Sequence, residues 1–278
     1  MKRDEAKQLA DQAIGELEQA LRTGRSERLQ QFLDVMSRFH RYSWNNCVLI
    51  AVQMPEASFV AGFRRWLELG RHVRKGEKGI GILAPLAYRR NQDADNTDEQ
   101  VETVIRGFRV VHVFDVTQTE GKDLPEFAGI HGDPGELLQR LEELTRSIGI
   151  TLRIEPLPMG TKGASCKGQI VIADGLPPAE RFAVLAHELA HELVHDDQRR
   201  RETTRTVRET EAEAVAYVVC RAFGLDCSTR SSDYIQLYRG DETTLAESLE
   251  VIQKTATRII ECLHNAQPTA EEGHHHVA

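Results

Sequence analysis

The chain has 278 residues, 40% of them hydrophobic and 28% charged, with 43 acidic and 35 basic side chains and a net charge of −8. Those values describe a soluble globular protein long enough for two ordinary domains. They leave no apolar run near the length of a membrane span, and the start, Met1 to Glu5, has no apolar signal core behind it, so a cytoplasmic protein with no membrane partner is expected.

Taken in chain order, Asp4 to Arg22 has helical periodicity through Leu9, Ala13, Leu17, Ala20 and Leu21, and Glu27 to Phe39 forms a second helix. Ser43 suits the N-cap of a third that runs to Gln53, and Ala61 to Leu69 suits a fourth closed by Gly70. The period then changes. Gly79 to Leu86 and Phe108 to Val116 read as paired strands, with Asn91 to Glu102 as a long hairpin loop. The first domain, residues 1–128, is therefore expected to be α+β, with Thr119 to Gly135 as the linker.

A second domain, residues 133–266, is expected to be mostly helical with a small sheet. Gly135 to Ile148 is helical, Thr151 to Pro156 and Gly168 to Asp174 are strands, and two long helices follow at Glu180 to Val194 and Thr204 to Phe223. Ser232 to Tyr238 and Thr243 to His264 supply the last helices, and residues 267–278 are a polar tail whose His274, His275 and His276 read as solvated. The five cysteines, Cys47, Cys166, Cys220, Cys227 and Cys262, form no C-x-x-C pair and read as reduced thiols.

The most informative stretch is His187-Glu188-Leu189-Ala190-His191, an HExxH motif inside an apolar run. On a helix its histidines stand one turn apart on one face and can share a Zn²⁺ ion, with Glu188 beside them as the general base of peptide hydrolysis. Two surface histidines on an ordinary helix match the same pattern by chance. Pro177 and Pro178 suit the first turn of this helix, where a missing N–H costs nothing. The strand ahead of it, Gly168 to Asp174, is expected to be the edge on which an extended substrate lies. A second frame, His191-Glu192-x-x-His195, overlaps the first. The first lies deeper in the apolar run, and His195 reads as a histidine near the helix end or behind the metal ligands.

The following helix offers Glu209, Glu211 and Glu213. Glu211 falls inside the apolar arc formed with Ala212, Val215, Val218, Val219 and Ala222, while Glu209 and Glu213 fall beyond its edge. A buried carboxylate needs a partner, so Glu211 is expected as the third metal ligand beside His187 and His191; the competing reading pairs it with Arg208 or Arg221. Tyr217, Tyr234, Tyr238 and His195 are the candidates for stabilising an oxyanion.

The negative charge is uneven. Residues 1–130 balance 19 basic against 19 acidic side chains, and within them residues 38–90 carry ten basic and three acidic ones. Arg64, Arg65, Arg71, Arg74, Lys75 and Lys78, interleaved with Tyr42, Trp44, Phe63 and Trp66, suit a single strand that wants cations for phosphates and aromatic faces for bases. Any single aromatic among these is more readily a core residue.

HELAH followed by an E-x-E-A-E-A-V-A helix resembles the zincin peptidases of the ImmA/IrrE and SprT-like kind. Tyr42-Ser43-Trp44-Asn45-Asn46, Gly62-Phe63-Arg64-Arg65-Trp66, Gly70 to Gly79 and Val113 to Glu120 resemble the N-terminal domain of ArdC-type antirestriction proteins. The resemblance spans residues 5 to 265 and implies a single-stranded-DNA-binding domain followed by a zinc metallopeptidase domain. It further implies a protein carried by a plasmid or other mobile element, which meets incoming single-stranded DNA and counters host restriction; the partners expected are single-stranded DNA and a protein substrate, either free or bound to DNA. Two other functions fit the same motifs: a regulatory zinc protease that cleaves a repressor, and a non-catalytic DNA-binding shield with a structural zincin domain.

Overall fold

The structure, a computed structural model, describes residues 1–23, 27–90, 102–122, 134–226 and 242–265. The fold is α+β and divides into two compact units, residues 1–128 with 239–250 and residues 129–238 with 251–278.

In the first unit α1 (Arg3–Arg22), α2 (Glu27–Arg38) and α3 (Trp44–Gln53) precede a three-stranded antiparallel sheet of order β1-β4-β3. Its strands are β1 (Val60–Gly62), β3 (Ile80–Arg90) and β4 (Glu102–Asp115), both of the long strands extending further than the sequence reading placed them. A short helix, α4 (Phe63–Glu68), and the pair β2 (Arg71–Val73) with β5 (Thr119–Gly121) complete the unit. Residues 119–121, expected to open a linker, are thus a paired strand; residues 123–133 of the expected linker, and the loop 91–101, lie outside the described residues. The buried stripe of α1, Ala6, Ala10, Ala13, Ile14, Leu17 and Leu21, is rich in alanine and lets α1 pack closely. Cys47, Val48, Leu49 and Ile50 of α3 and Ile80, Ile82 and Val113 of the sheet are buried with it.

The free edge of β3 is covered by side chains rather than by a strand. Asn46 donates to the carbonyl of Leu83 and accepts its N–H, both at 2.9 Å. Gln53, two turns further along α3, makes the same pair of bonds to Gly81, both at 2.9 Å. Two amides so placed mimic a neighbouring strand and close an edge that would otherwise template association. Asn46→Ala leaves the N–H and C=O of Leu83 without these partners and is expected to cost about 1–3 kcal/mol. Urea unfolding reads this as a lower midpoint at unchanged slope.

The second unit opens with α5 (Glu136–Ser147) and a small mixed sheet of order β6-β8-β7. β6 (Thr151–Glu155) runs parallel to β8 (Gln169–Ala173), and β7 (Gly163–Cys166) is antiparallel to β8. β8 is therefore the central strand. The expectation that it offers an edge to substrate is corrected: both its sides are paired, and among the described residues the outer strands of this sheet are β6 and β7. β7 and β8 are joined by the two-residue turn Lys167-Gly168, both at positive φ (45° and 81°), where glycine removes the strain at the second position.

Helices α6 (Pro178–Val194), α7 (Asp197–Glu202) and α8 (Arg205–Ala222) follow, and α9 (Glu242–Asn265) closes the described chain. Pro178 occupies the first turn of α6 as its chemistry favours. Phe182, Leu185, Leu189 and Ala190 of α6 are buried, as are Ala212, Ala214, Val215, Val218 and Val219 of α8. The many alanines on α8 let the two helices approach closely enough for polar side chains from both to meet at one point. The stretch from residue 227 to 241, which holds the expected helix Ser232–Tyr238, lies outside the described residues, as does the tail from residue 266.

Candidate metal centre and nucleic-acid surface

Among the described residues, His187, His191 and Glu209 bring one ligand atom each to within 4.8 Å of one another. The two Nε2 atoms are 3.2 Å apart, and Glu209 Oε2 lies 3.7 Å from His187 Nε2 and 3.6 Å from His191 Nε2. Two imidazoles one turn apart on α6 and a carboxylate from α8 converge on one point, a donor set suited to a divalent cation.

The far side of each histidine is held. His187 Nδ1 is 3.0 Å from Glu213 Oε2. His191 Nδ1 is 2.7 Å from His195 Nδ1, and His195 Nε2 is 3.0 Å from Glu211 Oε2. Glu211 in turn pairs with Arg199 of α7. The chain of contacts fixes the tautomers: if His191 keeps a lone pair on Nε2, its Nδ1–H donates to His195 Nδ1, and His195 Nε2–H donates to Glu211. Burial, the largest influence on His195, lowers its pKa and favours that neutral form despite the opposing Glu211 contact. Burial also opposes a charge on His187, but the carboxylates of Glu209 and Glu213 outweigh it and raise this pKa to about 9. The imidazoles of His187, then His191, beside it hold Glu209 well below the usual carboxylate range.

Glu211, the sequence's choice for third ligand, is fully buried and engaged with His195 and Arg199 instead. Glu209, at the border of the apolar arc, is the carboxylate that faces both histidines. Glu188 is buried beside His187 on α6, against β7. His195 has both ring nitrogens committed, which removes it as a free oxyanion donor; Tyr217 is buried on α8, and Tyr234 and Tyr238 lie outside the described residues.

In the first unit the structure separates the basic residues into two sets. Arg65 pairs with Glu68 at 2.8 Å. Arg71 donates to Thr119 Oγ1 at 2.8 Å and to the Thr119 carbonyl at 3.1 Å, tying β2 to β5. Arg74 binds Glu77 Oε1 at 3.1 Å and the Thr117 carbonyl. Arg64, Lys75 and Lys78 are exposed, and among the described residues no ion pair holds them. The turn carrying both lysines is clamped: Gln118 Nε2 donates to Glu77 Oε2 at 3.1 Å and to the Lys78 carbonyl at 2.9 Å. Asp115, buried one turn earlier, accepts from the N–H groups of Ser58, Phe59 and Thr117 at 2.7 to 3.0 Å. Burial alone would raise its pKa; those bonds lower it. Of the aromatics, Trp66 is wholly buried with its indole N–H on the Phe114 carbonyl, Tyr42 and Trp44 are half-buried, and Phe63 is 51% exposed.

Residues 3–116 match the family of the N-terminal domain of anti-restriction factor ArdC, and residues 145–258 match the IrrE N-terminal-like domain, a peptidase family. The chain is of the ArdC type. Among curated proteins, this ArdC-type chain is 25% identical over 301 aligned positions to the uncharacterized protein pXO2-81 of Bacillus anthracis. The match takes in 93% of the chain but spans only half the length of that relative. Two solved structures of the antirestriction ArdC protein from the R388 plasmid are also similar. The metal-free one has a TM-score of 0.49 at 22% identity, covering 81% of this chain and 86% of that one. The Mn(II)-bound one has a TM-score of 0.46 at 21% identity, covering 80% and 85%.

Within the ArdC-type chain, four site residues went unassigned in the sequence: Glu209 facing the histidines, Glu213 behind His187, Arg199 behind Glu211, and Gly163 against Glu188. The first three carried a signal. Glu209 and Glu213 are one turn apart on α8, and the polar run from Asp196 to Arg201 is a capped helix, with the Asp196 carboxylate accepting the Arg199 N–H at 2.8 Å.

Proposed function

We propose that this protein binds single-stranded DNA through its first unit, cleaves protein with a zinc-dependent endopeptidase in its second, and serves a mobile element as an antirestriction factor. The observation that carries the peptidase half is the convergence of His187, His191 and Glu209 next to a buried Glu188. The donor set fits zinc: two imidazoles and one carboxylate leave room for water and substrate. When bound, the ion supplies Lewis-acid polarisation of a peptide carbonyl and lowers the pKa of water towards roughly 7. The protein's own groups do the rest. Glu213 and His195 keep the Nε2 lone pairs of His187 and His191 turned towards the ion. The carboxylate of Glu188 takes a proton from the attacking water and delivers it to the leaving amine nitrogen. A site that was only structural would have no use for that carboxylate, which argues against a purely passive shield.

The DNA half is supported by the match of residues 3–116 to the ArdC N-terminal family and by the exposed cations Arg64, Lys75 and Lys78. Phosphate contacts make affinity salt-dependent, with a log–log slope of about −0.7 per phosphate for single strands. The experiment is fluorescence anisotropy of a labelled oligonucleotide, single-stranded and duplex, with wild type and Lys75→Ala/Lys78→Ala. Strand-selective binding whose slope flattens by roughly 1.4 in the double variant is expected. Absence of binding at low salt would remove the DNA reading and leave a regulatory zinc protease.

A further inference from the structure

Four positions of α6, one turn apart, meet the β7–β8 hairpin or the residue just ahead of it: Glu180, Val184, Glu188 and Glu192. Lys162, just ahead of β7, places its Nζ 2.6 Å from Glu180 Oε1. At the other end the Gly168 N–H donates to Glu192 Oε2 at 2.6 Å. Between these ties Gly163 lies against the helix. A Cβ there would stand 2.6 Å from Val184 Cγ1 and 2.9 Å from both Cγ and Oε1 of Glu188. The φ of Gly163 is not in the left-handed region, so it is space and not backbone conformation that calls for glycine.

We propose that the β7–β8 hairpin is the element that sets the place of the Glu188 carboxylate, with Gly163 as its positioning residue and Lys162–Glu180 and Glu192–Gly168 as its two tethers. The proposal rests on the reading of Glu188 as proton acceptor. A strand tied at both ends cannot back away from the helix. A methyl group at position 163 therefore displaces the softest neighbour, the far end of the Glu188 side chain, along with the Val184 methyl. The metal donors His187, His191 and Glu209 are not among the atoms such a methyl meets first. The consequence is specific: the base moves and the ligand set stays. The same geometry accounts for the overlapping HExxH frame, in which Glu192 serves the hairpin rather than the chemistry.

The test uses full-length protein loaded with zinc, casein as an unfolded substrate, and zinc affinity from competition with a chromophoric chelator. Gly163→Ala is expected to lower kcat about tenfold to 100-fold, because a displacement near 1 Å at a reacting group is costly. KM and zinc affinity are expected to stay within about twofold, the signature of a group that acts on turnover alone. A second readout needs no substrate. In the metal-free protein, Gly163→Ala lowers the thermal midpoint in the native background and lowers it less in the Glu188→Ala background, since truncation vacates the contested space. Glu188-dependent hydrolysis that ignores Gly163→Ala, or strictly additive midpoints, overturns the proposal. Hydrolysis that is equal in wild type and Glu188→Ala removes the reading of Glu188 as base, and the proposal with it.

Discussion

Glu188→Gln is expected to lower metal-dependent hydrolysis of an unfolded protein by about 10²–10⁴-fold, the usual contribution of a positioned general base. The amide keeps the shape of the carboxylate but cannot take up a proton. Glu188 is buried at the wall of β7, so glutamine fills the same space and the fold has no reason to respond. Because the converging donors are His187, His191 and Glu209, metal affinity is expected to be unchanged. Oligonucleotide binding is expected to be unchanged too, since the exposed cations proposed for it are in the first unit. Turnover retained in Glu188→Gln would mean that another group moves the proton.

Glu209→Ala and Glu211→Ala are expected to separate metal binding from stability, although the residues are two apart on one helix. Glu209→Ala removes a donor, and zinc affinity is expected to fall by more than the roughly 10–100-fold typical of losing an outer partner. It also removes one of the carboxylates that together raise the pKa of His187 to about 9. The sign of the pH effect follows. A pKa raised above the unfolded value near 6.5 contributes stability in the ion-free protein that is complete below that pH and is lost as pH rises through about 9. Glu209→Ala flattens this dependence. In wild type a metal ion must displace the same proton, so zinc affinity is expected to climb with pH until His187 is neutral.

Glu211→Ala strikes elsewhere. Its carboxylate is fully buried between His195 and Arg199. Its loss leaves a largely buried guanidinium without its partner, at a cost of about 3–5 kcal/mol. Urea unfolding of the metal-free protein reads that loss, and chelator competition reads the smaller one at the metal, where His191 loses the support that His195 transmits. If Glu211→Ala abolished zinc binding while Glu209→Ala left it intact, the reading of the geometry would be reversed.

The helix carrying HExxH was legible because periodicity, a proline pair and an unbroken apolar run all agreed over Glu180 to Val194. The carboxylate that faces it was not. A helical wheel reports how deep a residue lies, and it placed Glu211 correctly in the core; it does not report what meets the residue there. The centre of a buried arc is where another element of the protein supplies the partner, here Arg199 from a six-residue helix that reads only as a polar run. A carboxylate that faces both histidines has to reach an opening between helices, which puts it at the border of the arc, where Glu209 stands. Sheet order was equally hidden. Gly168 to Asp174 reads as a strand from its β-branched residues, but β7, four small residues from Gly163 to Cys166, carries no such signal, so the central strand passed for an edge. In the first unit, Trp66 proved to be core, while Arg71 and Arg74 bind the backbone of the β5 region. Charge counts find a basic segment, and only contacts tell which of its cations are free.

The zinc K-edge X-ray absorption spectrum of the full chain, loaded with one equivalent of zinc, tests the ligand set most directly. Two imidazoles with oxygen donors making up the remainder are predicted, with the imidazole count unchanged in His195→Gln. Three imidazoles in wild type, falling to two in His195→Gln, would contradict the account and make His195 a ligand beside His187 and His191.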